Sequence, residues 1–157
     1  YYEYGYLVYW QSRDILNKVF DFPENIGDSG KSEYLYGFDQ IEPGQDIILV
    51  EAIIDSISLG DGAVGLGGAA FSKRQMKKIR WLMPSSITLA PDNDGAGVDS
   101  LQSNYYALEP YFREIYFVFP PDGVKDWNDV EKSLPGSARP YVEQNREILT
   151  LPKLFDL

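Results

Sequence analysis

The sequence predicts an α/β domain, a mostly parallel sheet flanked by helices on both faces. Three observations carry that expectation. Short apolar runs recur at Ile47-Ile48-Leu49-Val50, Ala63-Val64-Gly65-Leu66, Ile87-Thr88-Leu89-Ala90 and 114–119, as in strands buried on both faces. The segments between them carry helix start signals or helical periodicity, so strand and helix alternate as in parallel crossover units. Two of the runs end in acids, Glu51 after the first and Asp92-Asn93-Asp94 after the third, at the strand ends where α/β proteins build their sites.

The first forty residues are Tyr-rich and strand-like, with Tyr6-Leu7-Val8-Tyr9-Trp10 ahead of Arg13 and Asp14. Residues 21–31, holding Pro23, Gly27 and Gly30, read as a loop. From Asp46 the regular pattern begins: a strand at Ile47–Val50, a short helix over 52–59, and a strand over 63–66 running into Gly67-Gly68. Ser72, with Gln75 three residues on, forms a capping-box signal that opens a helix to about Leu82, whose expected core face is Met76, Ile79 and Met83. A third strand over 87–90 precedes a helix expected over 98–112, with Leu101, Tyr105 and Leu108 on one stripe. The fourth strand, 114–119, is broken by Pro120, Pro121 and Gly123. Lys125-Asp126-Trp127-Asn128-Asp129 then leads into a helix that stops before Pro135-Gly136. Residues 138–149 read as a last helix and the remainder as a tail. The expected division is 1–45 as a partial N-terminal α+β subdomain, 46–135 as the main α/β domain, and 136–157 as a C-terminal helix and tail.

Composition narrows the chemistry. The 157 residues are about one domain's worth, and 44% hydrophobic residues suffice for a core. With neither Cys nor His, disulfides, zinc fingers, thiol nucleophiles and Ser-His-Asp triads are excluded, and acid-base work falls to Asp, Glu, Lys, Tyr or water. No apolar stretch approaches the ~20 residues that span a bilayer, and no signal-peptide pattern opens the chain. The expected location is therefore the cytoplasm, with no membrane partner. The chain opens on Tyr1 rather than Met, as expected of a domain cut from something longer. A net charge of −10 argues against nucleic-acid binding, although divalent cations at the acid-tipped strands would offset part of it. Five of the 14 basic residues cluster at Lys73, Arg74, Lys77, Lys78 and Arg80, expected as a solvated helix face.

Two acid-tipped strands suggest one divalent-metal site. Mg²⁺ takes oxygen ligands and keeps several waters, so one or two carboxylates plus substrate phosphate are enough. Asp92 and Asp94 alternate along an extended segment and are expected to point the same way. Asp55 lies one helical turn beyond Glu51 and is expected on its face. Each feature also has a plainer reading. Asp, Asn and Gly are good turn formers, and acids favour a helix's first turn. An EF-hand form is disfavoured because its twelfth loop position, counted from Asp92, is Ser103. Trp127 reads as a core anchor, and the N-terminal tyrosines fit either base stacking or strand propensity.

Val50-Glu51-Ala52-Ile53-Ile54-Asp55, the Gly65-Leu66-Gly67-Gly68-Ala69 turn, Asp92-Asn93-Asp94-Gly95-Ala96-Gly97 and Gly123-Val124-Lys125-Asp126-Trp127-Asn128-Asp129 resemble, in order and spacing, the TOPRIM domain. That metal-binding module is shared by bacterial and phage primases, type IA and type II topoisomerases and some nucleases. The Lys125–Asp129 element and Gly30-Lys31-Ser32-Glu33-Tyr34-Leu35-Tyr36-Gly37 resemble the DnaG-type primase branch, especially its phage members, and the similarity spans roughly 6–134. Two positions depart from the family. Ala52 stands where primases usually carry glycine, and Asn128 where many carry a second aspartate.

The resemblance implies a Rossmann-like TOPRIM sheet and metal-dependent nucleotidyl transfer, the synthesis of short RNA primers on single-stranded DNA from ribonucleoside triphosphates. It implies Mg²⁺ or Mn²⁺ held by Glu51, Asp92 and Asp94, with Asp55, Asp126 and Asn128 in support. Arg13, Lys31, Gly67, Gly68 and Lys125 are the implied contacts to nucleotide and nucleic acid. The implied partners are a replicative helicase or a zinc-binding domain, on the same chain or in trans, in a bacterial host cytosol or nucleoid. The alternatives are a TOPRIM nuclease acting on DNA or RNA, and a catalytically weak replication accessory module.

Overall fold

A computed structural model of the chain describes residues 1–14, 16, 19–23 and 30–157. Most of the loop expected over 21–31, Gly27 included, lies outside the described residues.

The N-terminal segment holds four two-residue strands, β1 (Tyr2–Glu3), β2 (Tyr6–Leu7), β3 (Ser12–Arg13) and β4 (Phe20–Asp21), paired antiparallel as β1 with β2 and β3 with β4. Tyr4 and Gly5, both at positive φ, make the two-residue turn between the first pair, a backbone that suits the twist of a tight hairpin. The strand expected through Tyr6-Leu7-Val8-Tyr9-Trp10 is therefore cut to two residues. Single turns of 3-10 helix follow at Lys31–Glu33 and Phe38–Gln40, and Tyr36 makes an isolated antiparallel bridge to Gly65.

The main sheet comprises β5 (Ile47–Val50), β6 (Ala63–Gly65), β7 (Ile87–Leu89), β8 (Ile115–Phe117) and β9 (Glu147–Ile148), in the order β6-β5-β7-β8-β9. All neighbours are parallel except β9, which runs antiparallel to β8. Interleaved helices are α1 (Ile53–Leu59), α2 (Lys73–Leu82), α3 (Gly95–Leu108), α4 (Trp127–Ser133), α5 (Ala138–Asn145) and α6 (Leu151–Phe155). β5 shows why its sequence has no polar alternation. Ile47 and Leu49 enter one core with Ile79 and Leu82 of α2 and Leu101, Tyr105 and Leu108 of α3. Ile48 and Val50 enter a second, with Leu59 of α1, Trp127 and Val130 of α4, and Val142 of α5. Each face removes apolar side chains from water, at about 1.5–3 kcal/mol for a fully buried Leu or Ile.

The structure corrects four expectations. α3 begins at Gly95 rather than Val98, because Asp94 supplies the cap, and it ends at Leu108. The last long helix stops at Asn145, Glu147–Ile148 adds a strand, and the expected tail carries α6, whose Leu154 is buried in the first core. Met83 is exposed, since α2 ends at Leu82 and Met83 turns out of it at φ 47°; Leu82 fills the core position. The basic helix is only partly a solvated face. Lys78 bonds the Glu3 carboxylate and the Glu33 carbonyl, Arg74 pairs with Glu33, and Arg80 stacks over Tyr111. With Gln75, which donates to the Tyr34 and Leu66 carbonyls at 2.8 Å each, the Lys78 and Arg74 contacts dock the N-terminal segment onto α2. Among the described residues, no helix is long and apolar enough to cross a membrane.

Candidate functional site

β5 and β7 lie side by side, but the chain leaves β5 for β6 on one side and β7 for β8 on the other. Loops diverge from such a point at the C-terminal edge of the strands and leave a crevice. Glu51 follows β5 directly. Its carbonyl accepts the Gly67 N–H at 2.9 Å, which ties the glycine turn after β6 to the acid, and Gly67 adopts φ 67° to do so. The Glu51 Oε1 atom is buried with no hydrogen-bond partner.

Asp92 and Asp94 leave β7 through Ala90 and Pro91. Gly97, in the first turn of α3, packs onto the Asp92 backbone so closely that a Cβ there would lie 2.0 Å from the Asp92 carbonyl oxygen. Asp94 caps the helix, its Oδ1 accepting the Gly97 N–H at 2.9 Å. The loop after β8 is fastened to this one: the Asn93 N–H donates to the Lys125 carbonyl at 2.8 Å, and the buried Trp127 Nε1 donates to the Ala90 carbonyl at 2.9 Å. Lys125 Nζ lies 3.4 Å from Asp94 Oδ2. Asp126 caps α4 by accepting the Asp129 N–H at 2.7 Å.

The electrostatics separate these acids. Burial, then the charges of Asp92 and Asp94, push the Glu51 carboxyl above its usual range, partly countered by the Ser100 hydroxyl. Burial and the charges of Asp126 and Asp94 do the same to Asp92, against the pull of Lys125. Asp55, 1% exposed, is pushed up to about 7, chiefly by burial, with an opposing bond from the Asn128 N–H and further repulsion from Asp126, Asp92 and Asp129. Asp94 moves the other way, held down by the Gly97 N–H and by Lys125. Lys125 in turn is held above its usual value by Asp94.

The edge thus gathers Glu51, Gly67, Asp92, Asp94, Lys125 and Asp126. Asp55 does not share a helical face with Glu51, because Glu51 precedes the helix and Ala52 is extended; its Oδ1 accepts the Asn128 N–H at 2.9 Å instead. Asp92 and Asp94 are not an equivalent pair, since Asp94 is turned to its cap. Gly68 is exposed in the turn beside Gly67. Arg13 stacks over Phe20 at 5.3 Å and Lys31 opens a 3-10 turn; no contact among the described residues joins either to the acids. Among the described residues, no group of three carboxylates is gathered closely enough to hold a metal ion. The sequence reading missed Gly97 as a packing glycine and Ser100 as the group beside Glu51. An acid two residues before the cap of a helix whose first turn is Gly-Ala-Gly was the available signal.

Residues 48–131, just over half of the chain, match the model of the Toprim-like family. Solved structures match over nearly the whole chain. A DNA primase domain from Pseudomonas aeruginosa gives a TM-score of 0.75 at 21% identity, covering 96% of this chain and 50% of that one. The primase of Aquifex aeolicus, comprising zinc-binding and RNA polymerase domains, gives 0.75 at 22%, covering 92% and 38%. The primase fragment of the bacteriophage T7 primase-helicase protein gives 0.63 at 22%, covering 85% and 56%. At these identities the likeness is one of fold, and the chain spans about half the length of the structures it matches. No curated protein matches it.

Proposed function

The chain belongs to the Toprim-like family, with the fold of DnaG-type primase catalytic domains, and from that premise we propose that it carries the nucleotidyl-transfer edge of a primase. The reaction is synthesis of a short RNA primer from ribonucleoside triphosphates on a single-stranded DNA template. In this reading residues 46–135 carry the edge, 1–45 are a partial N-terminal subdomain, and 136–157 a C-terminal cover. A replicative helicase or a zinc-binding domain works with it, on the same polypeptide or in trans.

The observation that carries the proposal is Glu51, a carboxylate with one oxygen buried and unpartnered, set in the charge field of Asp92 and Asp94. A buried carboxylate oxygen without a partner is costly unless something compensates it. An all-oxygen donor set of this kind fits Mg²⁺ or Mn²⁺, which need only one or two carboxylates when waters and phosphates complete the shell. One or two of Glu51, Asp92 and Asp94 at a time would hold the cation, with Asp55, Asp126 and Asn128 in support. When bound it would lower the pKa of the primer 3′-hydroxyl and neutralise nucleotide phosphate charge. Glu51 either offers its free oxygen to the cation or accepts the hydroxyl proton. Lys125 places a positive charge beside Asp94, and Gly67 and Gly68 leave backbone open to close approach. Arg13 and Lys31 are proposed to contact phosphates of template or nucleotide.

The test is calorimetric titration of Mn²⁺ and Mg²⁺, with and without ATP, into the wild type, Glu51→Gln and Asp92→Asn. Binding that ATP strengthens and both variants lose supports the proposal. A wild type that binds neither ion, with or without ATP, overturns it.

One observation favours a second reading, a catalytically weak accessory module. Asp55, Asp94 and Asp126 each spend a carboxylate oxygen on a backbone N–H. Metal binding without primer synthesis in a longer chain containing this domain would support that reading.

A further inference from the structure

α3 carries more than the Asp94 cap. One and two turns beyond Gly97 it presents Ser100 and Asn104, polar side chains buried to 3% and 4% exposure. Both converge on one atom of the turn after β6. The Ser100 hydroxyl donates to the Ala69 carbonyl at 2.6 Å, and Asn104 Nδ2 donates to the same oxygen at 2.9 Å. Asn104 Oδ1 accepts the Phe71 N–H at 3.2 Å, and its Nδ2 also reaches Ser100 Oγ at 3.3 Å. A buried amide and hydroxyl on a helix are used where they satisfy backbone groups nothing else reaches. Here they satisfy those of the exposed turn 67–71, which has no regular ladder of its own.

The turn is thereby fixed at two ends. Its start is bonded to the site through the Gly67 N–H on the Glu51 carbonyl, and its far end is clamped to the helix whose first turn packs against Asp92. Ser100 and Asn104 also line, with Glu51, Leu66, Leu89 and Pro91, a small cavity of about 10 Å³. α3 therefore links the far end of the glycine turn to the Asp92–Asp94 loop, while the Gly67 bond ties its start to Glu51.

We propose that Ser100 and Asn104 are positioning residues that fix the 67–71 turn against the acid edge, so that its backbone forms one wall of a nucleoside triphosphate site. The inference rests on the nucleotidyl-transfer reading and deepens it. The acids take the cation, and the clamped turn sets how well the triphosphate is held beside it. Removing the clamp frees the turn without removing any acid. The effect falls on nucleotide rather than on the ion.

The test combines amide hydrogen exchange with calorimetry on the wild type and Asn104→Ala. In the variant, exchange of the Phe71 N–H, which Asn104 Oδ1 accepts, speeds up while β5 and β7 keep their protection. Mn²⁺ alone binds as before, but Mn²⁺ with ATP binds about 10-fold more weakly, the low end of what loss of an outer-shell group costs a site. A merely structural role would lower β5 and β7 protection and shift both affinities together. Unchanged exchange in the turn overturns the inference, and so does a loosened turn with undiminished ATP binding. If Asn104→Ala does not fold, Asn104→Asp, which keeps an acceptor for the Phe71 N–H and removes the donor to Ala69, is read in the same way through ATP binding. A wild type that binds neither Mn²⁺ nor Mn²⁺ with ATP overturns the parent reading and this ligand with it. A failure confined to the variants overturns the clamp alone.

Discussion

The loops after β7 and β8 are built alike and used differently. Each leaves a buried strand, ends in an aspartate that caps a helix, and receives the N–H of the residue three positions on, Gly97 for Asp94 and Asp129 for Asp126. In the second loop Asp126 and Asp55 each spend an oxygen on a backbone N–H of α4. Asp126 caps α4, Asp55 reaches in from α1 to take the Asn128 N–H, and Trp127 locks the turn to Ala90. In the first loop Asp92 holds no cap and stands under the repulsion of Asp126 and Asp94, and its charge acts on Glu51, whose Oε1 is unpartnered. An acidic motif thus divides into carboxylates that fasten the fold and carboxylates left with capacity for a ligand.

The largest break in this comparison should come from Gly97→Ala. A Cβ 2.0 Å from the Asp92 carbonyl oxygen, 2.9 Å from its carbon and 3.2 Å from its nitrogen meets backbone and not a flexible side chain that could give way. Either α3 lifts or the acid loop shifts, and overpacking of this kind costs about 1–3 kcal/mol or more. Urea unfolding should register it, and metal binding should fail with it. Alanine at Gly95, where the space is open, should do neither.

Trp127→Phe should come next. It deletes the Nε1 donor to Ala90, leaves a buried carbonyl unmet and opens space in the second core, for a loss of about 1–3 kcal/mol from the bond alone. Thermal unfolding reads that loss. A difference below about 0.5 kcal/mol would mean that the β8 loop is not fastened in this way.

How far these roles could be read in advance differs by residue. The strands were legible because Ile47–Val50 is apolar at every position, and two-sided burial leaves that signature. The Ser72–Gln75 capping box was legible for the same local reason, and both of its bonds form. β9 was not, because two residues carry no period and its existence depends on β8 lying alongside. Nor was the start of α3, since glycine is a poor helix former and only the approach of Asp92 explains Gly97 there. The acids were legible as a group but not as roles. Whether Asp55 faces Glu51 or α4 depends on Ala52 being extended, which no spacing rule reports.

Asp55 provides the pH test. Its carboxyl is pushed up to about 7 from an ordinary value of 3.8, so the folded chain binds the proton more tightly than the unfolded one. The sign follows from linkage: the favourable contribution is complete below about pH 4 and is lost as pH rises toward 7. Asp55→Asn keeps an oxygen for the Asn128 N–H and removes the charge. In metal-free buffer at pH 8 it should be more stable than the wild type, by at least the ~1.4 kcal/mol that one pKa unit represents. Its stability should also vary less between pH 4 and 7. Equal pH profiles would show that folding does not raise the Asp55 carboxyl.

The finest test sets the caps against Asp92. Asp94→Ala and Asp126→Ala each remove an N-cap acceptor and should each cost about 1 kcal/mol, the first at α3 and the second at α4. Asp92→Asn should cost nothing and raise the melting temperature slightly in the absence of metal, because it relieves a carboxylate that burial, Asp126 and Asp94 all oppose. With Mn²⁺ present the proposed site predicts that wild type and Asp92→Asn exchange order, because a ligand that binds only the folded state would stabilise the wild type and not the variant. Melting curves for the three variants with EDTA and with Mn²⁺ separate these terms. If Asp92→Asn loses stability in EDTA as the caps do, Asp92 is another fastening acid, and the two loops are equivalent in use as well as in build.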